Sequence, residues 1–324
     1  MAENTIPGCF KYGCIGCLTL IALFAGLVFV AGAVQFSVDS EDPMPEQRQL
    51  SQDLPPSVGD TLLSDRPEGS TVLPLPQTPE FENAKGGTIL LDLAMAEVFI
   101  EPGPADEPIR VDADFDAGRF DLVESFSEDE DGTWLYKLSF KPRKSLWSFF
   151  GNNKATDNRI ELTIPRDRLV ELVGEIGMGE SESNLGGLWL RRVDLEYGMG
   201  DHFMEFREPL PYPMNSLRID GSMGNVELRG IGNSSPREVS VEHSMGDLLI
   251  DLDGHWRNDA QIKGSLSMGQ IRVWVPDEVR VDADADVSMG EVRVDTFDDS
   301  GLPDDTPLLS IDVDGSMGSV VIER

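Results

Sequence analysis

Cysteine is nearly missing from this chain: Cys9, Cys14 and Cys17 are the only three in 324 residues, so no disulfide can staple anything beyond residue 17. Histidine is as scarce, with His202, His243 and His255, and a structural zinc site built from four ligands at motif spacing is excluded. Basic charge is also short. Lys and Arg number 26 against 59 Asp and Glu, a formal net charge of −33. A surface so negative repels phosphate backbones, which excludes nucleic acid as a partner. Catalytic signatures are lacking too: there is no P-loop, dinucleotide fingerprint or H-E-x-x-H, and no histidine at motif spacing from a nucleophile. Ser222 has glycines beside it in GSMG, but that triplet recurs along the chain, and catalysis rarely needs many copies. No enzyme and no cofactor are expected.

One long apolar run is present. From Cys14 to Val34 there are 21 residues without a charge, CIGCLTLIALFAGLVFVAGAV. A helix of that length spans about 31 Å, the thickness of a bilayer core. Lys11 precedes the run and Asp39, Glu41 and Asp42 follow it, which orients the N-terminus inside and the rest outside. The sequence therefore predicts a short cytoplasmic segment (1–12), a transmembrane anchor (13–36) and an extracytoplasmic remainder at the cytoplasmic membrane. Ala31-Gly32-Ala33 also fits a signal-peptidase site, and cleavage there stays open as the alternative. The cysteines read as small apolar residues at the membrane boundary, with acylation or metal binding as the other uses. Residues 37–85, rich in proline and acid, read as an extended, disordered linker that does not pack.

The informative feature is a repeat. Gly-Met-Gly or Ser-Met-Gly occurs seven times, with methionines Met178, Met199, Met223, Met245, Met268, Met289 and Met317 spaced by 21, 24, 22, 23, 21 and 28 residues. Met95, in LDLAMAEVFI, is an eighth, degenerate copy. Periods of this size point to solenoids, one coil per repeat. Six residues before the methionine stand Ile89, Leu172, Val193, Leu217, Val239, Ile262, Ala283 and Ile311. Five after it stand Ile100, Ser183, Met204, Leu228, Ile250, Val273, Val294 and Ile322. Apolar positions are even before the triplet and odd after it, so the elements are strands and the chain turns or bulges at the triplet. The expectation is an all-β domain over 86–324: a parallel, right-handed β-solenoid with coils of 21–24 residues. The methionines are expected to face inward as a stacked core column beside a glycine corner, with a site for soft metal ions, which would need solvent-exposed thioethers, as the other use. Ser181 and Ser183 depart from the apolar pattern in the Met178 copy.

Outward positions are acidic. Glu196, Asp220, Glu242, Asp286 and Asp314 stand three residues before their methionines and predict a ladder of carboxylates. A solvated face is one reading of it, and Ca²⁺ bridging the ladder is the other. Between Met95 and Met178 the triplet disappears, but IRVDADF and WLYKLSF alternate as strands, with the acidic SEDEDG as the turn between them. A basic-aromatic patch follows, KPRKSLWSFFGNNK. Arg143, Lys144, Trp147, Phe149 and Phe150 there are a candidate interface with membrane or partner, or a cover for the end of the solenoid. The chain finishes on VVIER, which predicts an open C-terminal edge suited to self-association or a capping partner.

Two phrases carry a resemblance. RIELTIPRDRLVELVGEIGMGE (159–180) and IRVWVPDEVRVDADADVSMGEVRV (271–294) share the form strand, proline turn, strand, small-Met-Gly-acid, strand. They resemble the toastrack-like adhesin β-solenoid family of bacterial membrane-anchored envelope proteins, and the C-terminal domains of cell-wall-antibiotic response regulators are similar. The resemblance covers roughly residues 86–324 and implies a parallel β-solenoid with no catalytic residues. Three functions compete: a tethered binding or structural module that meets an envelope protein, a polymer or itself; an envelope-stress regulator that modulates a membrane sensor kinase; and, weakest, a carbohydrate-active enzyme on a β-helix, which would need an acid cluster in a cleft that breaks the repeat.

Overall fold

A computed structural model describes residues 46–52, 85–143 and 158–324. The described residues are all-β and form one continuous sheet of fifteen strands. In chain order these are β1 (Glu46–Gln52), β2 (Gly87–Leu93), β3 (Glu97–Gly103), β4 (Ile109–Phe115), β5 (Phe120–Glu128), β6 (Trp134–Pro142), β7 (Arg159–Pro165), β8 (Leu169–Met178) and β9 (Ser181–Asn184). There follow the long strands β10 (Trp189–Glu205), β11 (Ser216–Arg229), β12 (Glu238–Asp251), β13 (Ala260–Trp274), β14 (Arg280–Val294) and β15 (Leu308–Glu323). The expected anchor at 13–36 lies outside the described residues. Among the described residues no helix is long and apolar enough to cross a membrane. Within the expected linker, Glu46–Gln52 departs from a non-packing tether and pairs antiparallel with β4.

Each long strand is two arms joined at the Met-Gly corner. Except in β14, the first arm buries position −6 (Leu217, Val239, Ile262, Ile311), and the second buries +3 (Val226, Leu248, Ile271, Val320) and +5 (Leu228, Ile250, Val273, Ile322). Successive strands pair in parallel with methionine opposite methionine: Met178, Met199, Met223, Met245, Met268, Met317, Met289. Earlier in the chain the arms are separate strands. β2 pairs β8 on the first arm while β3 pairs β9 on the second. Outside them, β6 and β7 pair β2 and β3 in the same parallel sense. The connection from β6 to β7 carries the basic-aromatic stretch of the sequence. Its aromatic residues Trp147, Phe149 and Phe150, with Lys144, lie outside the described residues.

Spatial order departs from chain order at the far end. The chain-terminal strand β15 pairs with both β13 and β14, so β14 and not β15 is the edge. The expected open edge at VVIER is thus corrected. Side-chain size supplies the reason. β15 points Leu309, Ile311 and Val313 inward and buries them, whereas β14 offers Val281, Ala283 and Ala285 at the same register. Placing the bulkier strand in the interior removes more apolar surface from water, at roughly 25 cal/mol per Å².

Candidate functional site

The corner is where the repeat concentrates unusual chemistry. Residue −2 is inward, buried at Tyr197, Gly221, His243 and Leu266 and half-buried at Val287 and Gly315; residues −1 and 0 both face outward, and the glycine at +1 takes the inner position. The pairing ladder runs through −2 and resumes at the methionine, so −1 (Gly198, Ser222, Ser244, Ser267, Ser316, Ser288) is the bulged residue of each strand. From Gly179 to Gly318 the corner glycines have φ between 117° and 151°. A Cβ on Gly246 would collide with the carbonyl oxygen of Gly224, and one on Gly269 with that of Gly246. Only glycine meets both demands.

This geometry overturns the inward methionine column. Met199, Met223, Met245, Met268, Met317 and Met289 are 42 to 63% exposed. They do form a column in register, but on the outer face; Met178 joins it half-buried, and Met95, also half-buried, sits in the bend between β2 and β3. The phase slip falls before the methionine rather than after it, so the even apolar series stops at −2. The core takes its methionines elsewhere, at Met204 and Met214.

Columns of other residues run beside the thioethers. The carboxylates at −3 stack as expected: Asp92, Glu175, Glu196, Asp220 and Glu242, then Asp314 and Asp286 beyond Ser265. At strand spacing, neighbouring charges repel by about 0.9 kcal/mol in bulk water. Lys141 of the basic patch ends the ladder with a 2.7 Å ion pair to Asp92, while Arg143 pairs with Asp121 of β5 at 2.7 Å. Among the described residues no three acidic or histidine side chains converge as a metal-binding group. Near the edge, Ser267, Ser288 and Ser316 with Asp286 and Asp314 line a cleft of about 350 Å³. On the second arm a cleft of about 590 Å³ runs past Phe99, Glu182, Phe203 and Glu227.

Sequence pattern also left out a buried polar cluster. Ser181, which breaks the apolar pattern of its coil, faces His202, which breaks it in the next coil, with Oγ and Nδ1 2.9 Å apart. The Tyr197 ring stacks on the imidazole at 4.3 Å. His243 lies at −2 of β12, with Nε2 3.0 Å from the Gly224 carbonyl oxygen, and the Gly221 beside it supplies the room. Burial holds His202 well below its usual value, at about 4, so the imidazole is neutral near pH 7. Among the described residues His202 Nε2 has no hydrogen-bond partner. The contact ties two coils together. The signal was available: two successive coils lose an apolar residue at the same position, +3.

No family model matches the chain, and no curated protein matches it. Solved structures that it is similar to include a candidate cell adhesion protein from Clostridium sporogenes, at 10% identity and a TM-score of 0.41, covering 86% of this chain and 99% of that one. A candidate adhesin from Bacteroides fragilis is 12% identical with a TM-score of 0.32, covering 72% and 92%. A candidate lipid-binding protein from Parabacteroides distasonis is 15% identical with a TM-score of 0.32, covering 85% and 96%. Likenesses of this size assign neither a family nor a ligand to the chain.

Proposed function

We propose that the chain is a non-catalytic, adhesin-like binding module of the bacterial cell envelope. Its strands make a right-handed parallel β-solenoid, held outside the cytoplasmic membrane by an anchor at 13–36 and a linker within 37–85. The observation that carries this reading is the in-register pairing of Met178 through Met289. It repeats the same outward residues, acid, serine or glycine, and methionine, at about 4.8 Å per coil. Such a face suits an extended or repetitive partner, because each coil offers the same contacts one step further along. Carboxylates repeated in register from coil to coil single out no one acid pair for hydrolysis, which favours binding.

A photo-crosslinking residue at Asn225 in the full-length protein, activated in intact cells, tests this. An adduct with an envelope polymer or surface protein, recovered in the membrane fraction, is the expected result. A sensor kinase in the adduct would replace the reading with the regulatory one. Recovery of the protein from the cytosol would refute the envelope placement.

A further inference from the structure

We infer that the outer methionine ladder binds soft monovalent metal ions, Cu(I) or its redox-inert counterpart Ag(I), through pairs of thioethers on adjacent coils. Seven of the chain's twelve methionines stand in this one column. Core filling does not account for them, since Met204 and Met214 are the ones buried at 1% and 0% exposure, while the ladder from Met199 to Met289 faces solvent. Nor does the corner demand an apolar side chain. The residue just before each methionine is equally outward and is serine in Met223, Met245, Met268, Met289 and Met317.

Spacing fits the ligand. Adjacent strands lie about 4.8 Å apart. Metal–sulfur bonds of about 2.3 Å, the length known for zinc thiolates, place two sulfurs roughly 4.6 Å apart across a linear ion. In-register methionines such as Met223 and Met245 are therefore one strand spacing apart at the backbone. Unbranched side chains with three rotatable bonds can close the remaining few tenths of an ångström. Thioethers are soft, neutral donors that select Cu(I) over the hard cations preferred by carboxylates. Flanking columns reinforce cation uptake, with Glu196, Asp220 and Glu242 on one side and Asp201 and Asp247 on the other. They raise the local cation concentration and offset the charge of bound ions. Binding involves no electron transfer, because the ion enters and stays in its monovalent state. The inference is independent of the envelope partner proposed above.

The test uses the full-length protein in detergent, carrying Cys9→Ser, Cys14→Ser and Cys17→Ser so that no thiol competes, with its methionine methyl groups labelled with carbon-13. Silver nitrate is added in chloride-free buffer. Ladder methyl resonances are expected to shift at a few equivalents while those of Met204 and Met214 stay in place, and millimolar Ca²⁺ should not reverse the shift. A second variant, adding Met223→Leu, Met245→Leu and Met268→Leu, keeps the pairs Met178–Met199 and Met317–Met289 and should lose about a third of the bound silver while retaining its strand circular dichroism. If that variant unfolds, the methyl shifts of the parent decide alone. Unmoved ladder methyls would overturn the inference. So would shifts shared equally by Met204 and Met214, or undiminished silver in a folded triple-leucine variant.

Discussion

At one end of the strand stack, β5 and β4 run antiparallel against β6 and β7, and aromatic side chains close the interior. At the other, β14 has β15 on one side and, among the described residues, no strand on the other. Phe120 of β5 stacks on Phe140 at 4.9 Å, and Phe115 of β4 meets the same ring edge-on at 5.4 Å. Val292 and Val294 of β14, by contrast, are 45% and 37% exposed. A parallel stack can thus be finished in two ways. Reversing strand direction and adding aromatics seals one end. Making the last strand small and charged lowers the cost of leaving the other uncovered: Ala283 and Ala285 expose little, and Asp282, Asp284 and Asp286 repel an incoming strand.

The largest test of this contrast is Phe140→Ala, which should destabilise the sealed end by about 3–5 kcal/mol in urea unfolding. A cost no greater than that of Val292→Ala would erase the distinction. Gly246→Ala comes next. Its φ of 131° and the neighbouring carbonyl leave no room for a methyl group, so a loss of about 1–3 kcal/mol is expected. Gly290→Ala should cost less, because β14 can draw away from its single neighbour, and the difference in unfolding midpoints measures that freedom.

His202, between the two ends, gives a pH-dependent test. Its folded value of about 4 lies below the ordinary 6.5, so on acidification the unfolded chain takes up the proton first. Its contribution to stability is complete above about pH 6.5 and is lost as pH falls toward 4. His202→Phe should therefore show a shallower fall in melting temperature across that window. Identical slopes would mean that the imidazole is not held neutral. The smallest effect belongs to the edge: Val292→Thr should change stability by less than about 1 kcal/mol, since the side chain is already half in water.

Much of the fold could be read from residue spacing. Ile109–Phe115 and the strand beginning at Trp134 emerged from alternation alone, and outside β14 the apolar set at −6 and +5 lines the core as expected. The orientation of the methionines did not emerge, because a bulge resets the two-residue period. Placing the slip before or after the methionine satisfies both flanking arms equally well. What settles it is the glycine, whose crowded inner position becomes visible only once the neighbouring carbonyl is in place. The exchange of β14 and β15 escaped for a different reason. Local alternation says nothing about which coil lies next to which, although the alanines and aspartates of β14 carry the mark of an edge. The Ser181–His202 contact required two adjacent exceptions to be seen as one.

The central claim is the order and register of the strands, with β15 inside and β14 at the edge. Hydrogen–deuterium exchange on the full-length protein, read peptide by peptide, tests it most directly. The account predicts that amides of β15 are protected to the same degree as those of β13, while those of β14 exchange sooner. Slow exchange in β14 with fast exchange in β15 would contradict it and restore simple chain order.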